Sequence, residues 1–221
     1  MHRLLVVAHG TASPTGSATT ARLVAAIAAA RPAVPVGLCF LDVASPRLAA
    51  ALDDTPTVVV PLLLTTGYHV QSDIPAAVAG RPATRVARHL GPHPLLAEAL
   101  ADRLPTDGRS TALVAAGSSR PEAAAEIAAA ADLLAAAIDA PVAALTLGEG
   151  LRDALAARPS PVRVATYLLA EGQFVTALRE AADGLGRVAA PLGVHPKLMQ
   201  LVWTRYDETL DWNRTESSAR T

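Results

Sequence analysis

The chain has 221 residues, 51% of them hydrophobic, with a formal net charge of −1 and a sequence pI near 6.6. That length holds one large α/β domain or two small ones, and the near-neutral balance excludes the basic footprint of a nucleic-acid binder or of a protein drawn to anionic lipid. Only 3% of the chain is aromatic, so the core has to be built from Ala, Val and Leu.

Cys39 is the single cysteine, which excludes a disulfide framework and a thiolate metal cluster. It lies within Val36-Gly37-Leu38-Cys39-Phe40-Leu41 and reads as a small buried hydrophobe. Met1-His2-Arg3 runs directly into a strand, so no leader is expected. Every apolar stretch is broken by Arg, Asp or Pro before the roughly 18 residues a membrane span needs. A cytoplasmic protein is expected. Positive charge is nearly all arginine, with Lys197 the one lysine. Fork-shaped donors suit carboxylates, and a GC-rich coding bias would give the same composition.

In chain order, the first strand is expected over Arg3–Ala8, ending at His9-Gly10-Thr11. A helix follows from Thr19 to Ala30, stopping before Arg31-Pro32. The second strand covers Val36–Leu41 and ends at Asp42. Ser45-Pro46 reads as an N-cap with proline at the first helical position, opening a short helix through Leu52. The third strand, Thr57–Leu64, has no polar alternation and suits a parallel strand covered on both faces. It delivers Gly67, Tyr68 and His69 to a turn, after which Asp73 is placed to cap a helix running to Ala79. A strand over Thr84–Leu90 and a helix from His93 to Leu104 complete the unit. Strand and helix alternate, so a parallel sheet with helices on both faces is expected.

The pattern then repeats. Val6-Val7-Ala8-His9-Gly10 is echoed by Leu113-Val114-Ala115-Ala116-Gly117, Leu62–His69 by Tyr167–Phe174, and His89–Pro94 by Pro191–Pro196. The offsets are 107 (His9 to Ala116), 105 (His69 to Phe174) and 102 (His93 to His195). Three echoes in one order argue for a duplicated α/β unit. The expected division is residues 1–106, residues 110–212 and a frayed tail at 213–221, with a cleft between the halves.

The duplication is also an internal control. Where the first half carries His9 and His69, the second carries Ala116 and Phe174, so the scaffold does not need imidazole at either place. His93 and His195 recur in both halves before a proline and read as helix-entry residues; His89 reads as a strand residue.

The segments Val7-Ala8-His9-Gly10-Thr11, Phe40-Leu41-Asp42 and above all Pro61–Pro75, with its Gly67-Tyr68-His69 and Asp73-Ile74-Pro75, resemble the class II tetrapyrrole chelatases. The branch is that of the sirohydrochlorin ferrochelatases and cobaltochelatases. The resemblance covers nearly the whole chain, because the family's long form is also a tandem of two α/β halves. It implies insertion of Fe²⁺ or Co²⁺ into a sirohydrochlorin-type macrocycle, with His9 and His69 as the active, metal-holding pair. The family often has Glu at the position of Asp42, which here is the candidate auxiliary carboxylate. Chelatases with their histidines in the second half are excluded by Ala116 and Phe174.

The residue chemistry agrees. Metal insertion needs a site that strips water from an ion yet releases it, and four protein ligands would trap the ion. Two imidazoles and one carboxylate give an intermediate grip, and imidazole suits Fe²⁺ and Co²⁺ without strongly choosing between them. A histidine titrating near neutrality can accept the two pyrrole N–H protons. Asp42 would orient an imidazole or relay the proton. Arg120, in the turn equivalent to that of His9, is the candidate for a substrate carboxylate; Tyr68 either stacks on the ring or packs the turn. No permanently bound cofactor is expected, the metal being substrate, and no nucleotide, since Walker A and G-x-G-x-x-G motifs are missing. A monomer is expected. The competing readings are a non-catalytic metal or tetrapyrrole carrier on the same scaffold and a chelatase for another porphyrin.

Overall fold

The structure, a computed structural model, describes residues 2–118 and 120–218, the side chains of His69 and of residues 212–218 excepted. It holds two four-stranded parallel sheets. The first is built from β1 (Arg3–Ala8), β2 (Val36–Phe40), β3 (Thr57–Pro61) and β4 (Thr84–Val86) in the order β2-β1-β3-β4. The second, from β5 (Ser110–Ala115), β6 (Val142–Thr146), β7 (Val162–Tyr167) and β8 (Gly186–Val188), has the order β6-β5-β7-β8. Equivalent strands take equivalent neighbours, Leu4 pairing with Val36 and Thr111 with Val142. The duplicated α/β reading therefore holds at the level of topology. Leu4 to Ala8 and Thr111 to Ala115 are all buried, as expected of central parallel strands covered on both faces.

The helices are α1 (Pro14–Ala30), α2 (Leu48–Ala51), α3 (Ile74–Val78), α4 (Pro94–Ala101), α5 (Pro121–Ile138), α6 (Leu151–Ala156), α7 (Gln173–Ala182) and α8 (Pro196–Ser218). Helix α1 starts earlier than expected because Ser13 Oγ accepts from the Gly16 N–H and Pro14 occupies the first turn. Leu23, Val24 and Ile27 then bury one face at helical spacing. His93 and His195 are helix-entry residues: Nδ1 of each accepts a backbone N–H, from Leu95 at 3.2 Å and from Lys197 at 3.3 Å.

Other local expectations also need correction. Ser45-Pro46 does not open a helix: the Pro46 carbonyl accepts from the Phe40 N–H and the chain forms a parallel bridge, Phe40 with Arg47, so α2 begins only at Leu48. Asp73 is not an N-cap. A π-helical turn, His69–Asp73, leads directly into α3, Asp73 is itself helical and its side chain makes no cap bond. Strands β3 and β4 are shorter than expected, since beyond Pro61 and Val86 the chain continues extended with only isolated bonds such as Leu62 N–H to Val7 O and Ala87 N–H to Val59 O. Helix α8 runs past Trp212 to Ser218, so only residues 219–221 of the expected tail lie outside the described residues.

The two repeats exchange their last helices. Helix α4 packs on α5 and β7 of the second repeat, while α8 packs on β3, α1 and α4 of the first. Trp203 Nε1 donates to Ile27 O, Arg205 to the carbonyls of His89 and Leu90, and Tyr206 Oη to His2 O. Arg31 grips Asp207 through two 2.7 Å bonds with its guanidinium 4.5 Å from the Trp203 ring centroid. One continuous core, from Leu4 and Ile27 through Leu113 and Tyr167 to Trp203, runs through both repeats.

Candidate metal-handling site at the carboxyl edge of the first sheet

In the order β2-β1-β3-β4, the chain leaves β1 toward β2 on one side and returns to β3 on the other. The crevice beyond the carboxyl ends of β1 and β3 is thus a topological switch point, where open parallel sheets bind ligands. His9 sits one residue past β1, Asp42 two past β2, and the segment after β3 leads to His69.

The first two are locked together by backbone. The Asp42 N–H donates to His9 O at 2.8 Å, and the Ala44 N–H donates to Asp42 O at 2.7 Å, with Val43 at φ +65° between them. Gly10 makes this approach feasible. Its φ is +98°, and a Cβ there would stand 2.0 Å from Asp42 O. The ring of His9, exposed at the surface, has Nδ1 3.1 Å from Gly10 O. A carbonyl can only accept, so in this contact Nδ1 is the donor.

Asp42 is held ionised. The Val43 backbone N–H is the largest cause of its lowered pKa, followed by the Arg47 guanidinium, whose Nη1 donates to Asp42 Oδ1 at 2.9 Å; His9 adds a smaller electrostatic pull. The same Arg47 nitrogen donates to Leu41 O, so the carboxylate is fixed from its own strand end. Arg47 was not singled out for this task in the sequence.

The backbone of His69 opens the π-helical turn, and wide turns of this kind cluster at functional sites. Its imidazole, the second member of the expected metal pair, lies outside the described residues. Tyr68, the preceding residue in the chain, is 60% exposed. Arg120, half-buried, stands at the N-terminus of α5. Its turn faces that of Tyr68, since a Cβ on Gly67 would stand 4.0 Å from Ser118 Oγ. On the opposite side of the seam, Gly172 meets Thr11 and Ser13 of the His9 turn. An open groove of about 530 Å³ runs along that side, lined by Ser13, Thr15, Glu171, Gly172, Gln173 and Thr176 among others.

Cys39 lies within β2, three residues before Asp42. It is fully buried, its Sγ donates to Val6 O, and burial pushes its thiol up to about 12. Glu126, Tyr167 and His89 form a polar cluster beneath the turn that leads to His69, and the sequence had assigned none of them to the site. The available signal was one of the three carboxylates of α5, Glu126, beside the apolar stripe Ala123, Ile127, Ala130, Leu134.

A doubled four-stranded parallel unit with imidazole and carboxylate at its first switch point defines a chelatase-type α/β protein. The chain belongs to the CbiX family, whose model matches residues 3–107 and 110–209. No curated protein matches it by sequence. Among solved structures it is similar to the sirohydrochlorin chelatase SirB from Bacillus subtilis subspecies spizizenii in complex with cobalt, at 22% identity over 95% of each chain with a TM-score of 0.79. It is also similar to SirB from Bacillus subtilis with Fe³⁺, at 20% identity over 95% of this chain and 96% of that one, TM-score 0.75. CbiX, the terminal enzyme of siroheme biosynthesis in denitrifying bacteria, is 27% identical over 94% of this chain and 99% of its own, TM-score 0.69. No helix among the described residues is long and apolar enough to cross a membrane.

Proposed function

We propose that this protein is a chelatase that inserts Co²⁺ or Fe²⁺ into sirohydrochlorin, without a nucleotide, as a cytoplasmic monomer. The observation that carries the reading is the backbone-locked pair of His9 and Asp42 at the β1/β3 switch point of a CbiX-family fold. His9 Nε2 takes the entering ion, and His69 is the second ligand. Two imidazoles leave coordination positions for water and pyrrole nitrogen, so the ion is desolvated stepwise and not trapped. As the metal enters, the ring gives up two N–H protons. The histidines accept these, and the ionised Asp42 beside His9 stabilises the imidazolium that results. Tyr68 lies against the macrocycle, and Arg120, across the seam, pairs with a peripheral carboxylate.

The test is the purified protein with sirohydrochlorin and either Co²⁺ or Fe²⁺, no nucleotide added, followed by the absorption bands of the macrocycle. Catalytic turnover is expected, and it fails in His9→Ala. Stoichiometric binding of ion or ring with no turnover would establish the carrier reading instead.

A further inference from the structure

The segment Leu64–Gly67, which leads from β3 to His69, is held from the second repeat. Glu126 on α5 accepts twice from Thr66, Oε2 from the backbone N–H at 2.5 Å and Oε1 from the hydroxyl at 2.7 Å. Tyr167, buried at the end of β7, donates to Leu64 O at 3.2 Å. Gly91 leaves the room for that bond: a Cβ there would lie 2.1 Å from the tyrosine oxygen and 2.3 Å from Leu64 O. His89 Nε2 closes the cluster 3.2 Å from Glu126 Oε1, off the line of a hydrogen bond.

Among the described residues, this reach has no counterpart at the equivalent turn of the second repeat. The residue of α1 equivalent to Glu126 is Thr19, whose hydroxyl donates to Thr15 O within its own helix. The turn equivalent to Leu64–Gly67 carries Glu171, which takes two bonds of 2.7 and 2.8 Å from Arg179 of its own repeat. Among the described residues, only the histidine-bearing turn is tied down by a carboxylate of the other repeat.

We infer that Glu126 is a positioning residue: its paired bonds to Thr66 set where His69, three residues on, is presented to the metal. The inference rests on the proposed role of His69. An ion held by few ligands is sensitive to ångström-scale slack in any one of them, so a turn carrying one of two imidazoles needs an external brace. The Thr66 N–H would otherwise be an unpaired donor in a half-buried seam.

The test uses the full chain as wild type, H9A, E126A, E126Q and T66V, with Co²⁺ as probe and two readouts: the visible spectrum of bound Co²⁺, and kcat and KM for insertion into sirohydrochlorin. Loss of an outer partner of a metal ligand typically costs about 10- to 100-fold, and that drop is expected in Co²⁺ affinity and kcat for E126A, with the sirohydrochlorin KM little changed. Glutamine keeps a carbonyl for the Thr66 N–H and turns its amide to the hydroxyl, so E126Q restores both readouts. T66V, which loses one of the two bonds, falls between and decides the matter if E126A does not fold. Folded E126A or T66V with wild-type spectrum and kcat overturns the inference, as does E126Q no better than E126A. Should wild-type protein insert no metal, the functional reading fails, and the Co²⁺ spectra still decide the role of Glu126.

Discussion

The carboxyl edges of the two sheets have the same strands, the same neighbours and opposite contents. Leu41 and Leu147 each donate a backbone N–H to the end of the central strand, at Ala8 and Ala115, yet the next residue is Asp42 in one repeat and Gly148 in the other. His9 faces Ala116 in the same comparison, and His69 faces the exposed Phe174. The second edge lacks these imidazoles and this carboxylate, yet Glu126 and Tyr167 of the second repeat both reach the first repeat's turn. On the proposed function, the duplicated fold divides labour, one copy carrying the reactive groups and the other fixing their place.

The largest effect should separate the two edges directly. His9→Ala is expected to lower metal insertion by about 10²-fold or more, whereas Ala116→Ser, at the equivalent strand end, should leave the rate unchanged; equal losses would end the claim that the chemistry is one-sided. Next comes the braced turn, through the Glu126 series above. Trp203→Ala then asks whether the repeats are energetically one body. This residue belongs to the second repeat by sequence but is buried against Ile27 and Arg31 of the first. The variant should lose about 3–5 kcal/mol while still unfolding in urea as a single transition, and two resolved transitions would contradict the shared core.

Smaller effects sharpen the likeness of the halves. His93→Ala and His195→Ala each remove one acceptor at a helix start and should cost about 1 kcal/mol apiece, a match that unequal urea midpoints would disprove. Both histidines, with His2 and His89, have pKa values lowered chiefly by burial. For His89 the neighbouring Glu126 pulls the other way without offsetting it. Neutral rings are favoured in the folded protein, so below the ordinary value of 6.5 the unfolded chain binds more protons and stability falls with pH. The urea midpoint should therefore be lower at pH 5.5 than at pH 7.5, and an unchanged midpoint would show that these rings titrate alike in both states.

Much of this was legible in the sequence because the signals are local. Continuous apolar runs such as Val58–Leu62 read as covered parallel strands, and histidine before proline read correctly as a helix entry at both His93 and His195. Ser45-Pro46 misled because the same dipeptide that opens a helix also suits an extended bridge, and the partner that decides, Phe40, lies on another element. Asp73 misled because the helix nucleates earlier, on the π-helical turn from His69. The brace on Thr66 was beyond reach for a different reason: Glu126 is sixty residues away in the chain, and no local pattern names the partner of a helix carboxylate. Within the site, His9 and Asp42 were each read at a strand end, whereas the backbone bond that joins them and Arg47 as the keeper of that carboxylate needed coordinates.

The swapped closing helices carry a consequence for how this polypeptide is assembled. Cutting the connector around Asp107 would leave each fragment without the segment that shields one face of its β-layer, so neither piece should persist alone. Mixed in equal amounts, the two should find each other and rebuild a working molecule, as a pair of separately encoded subunits would.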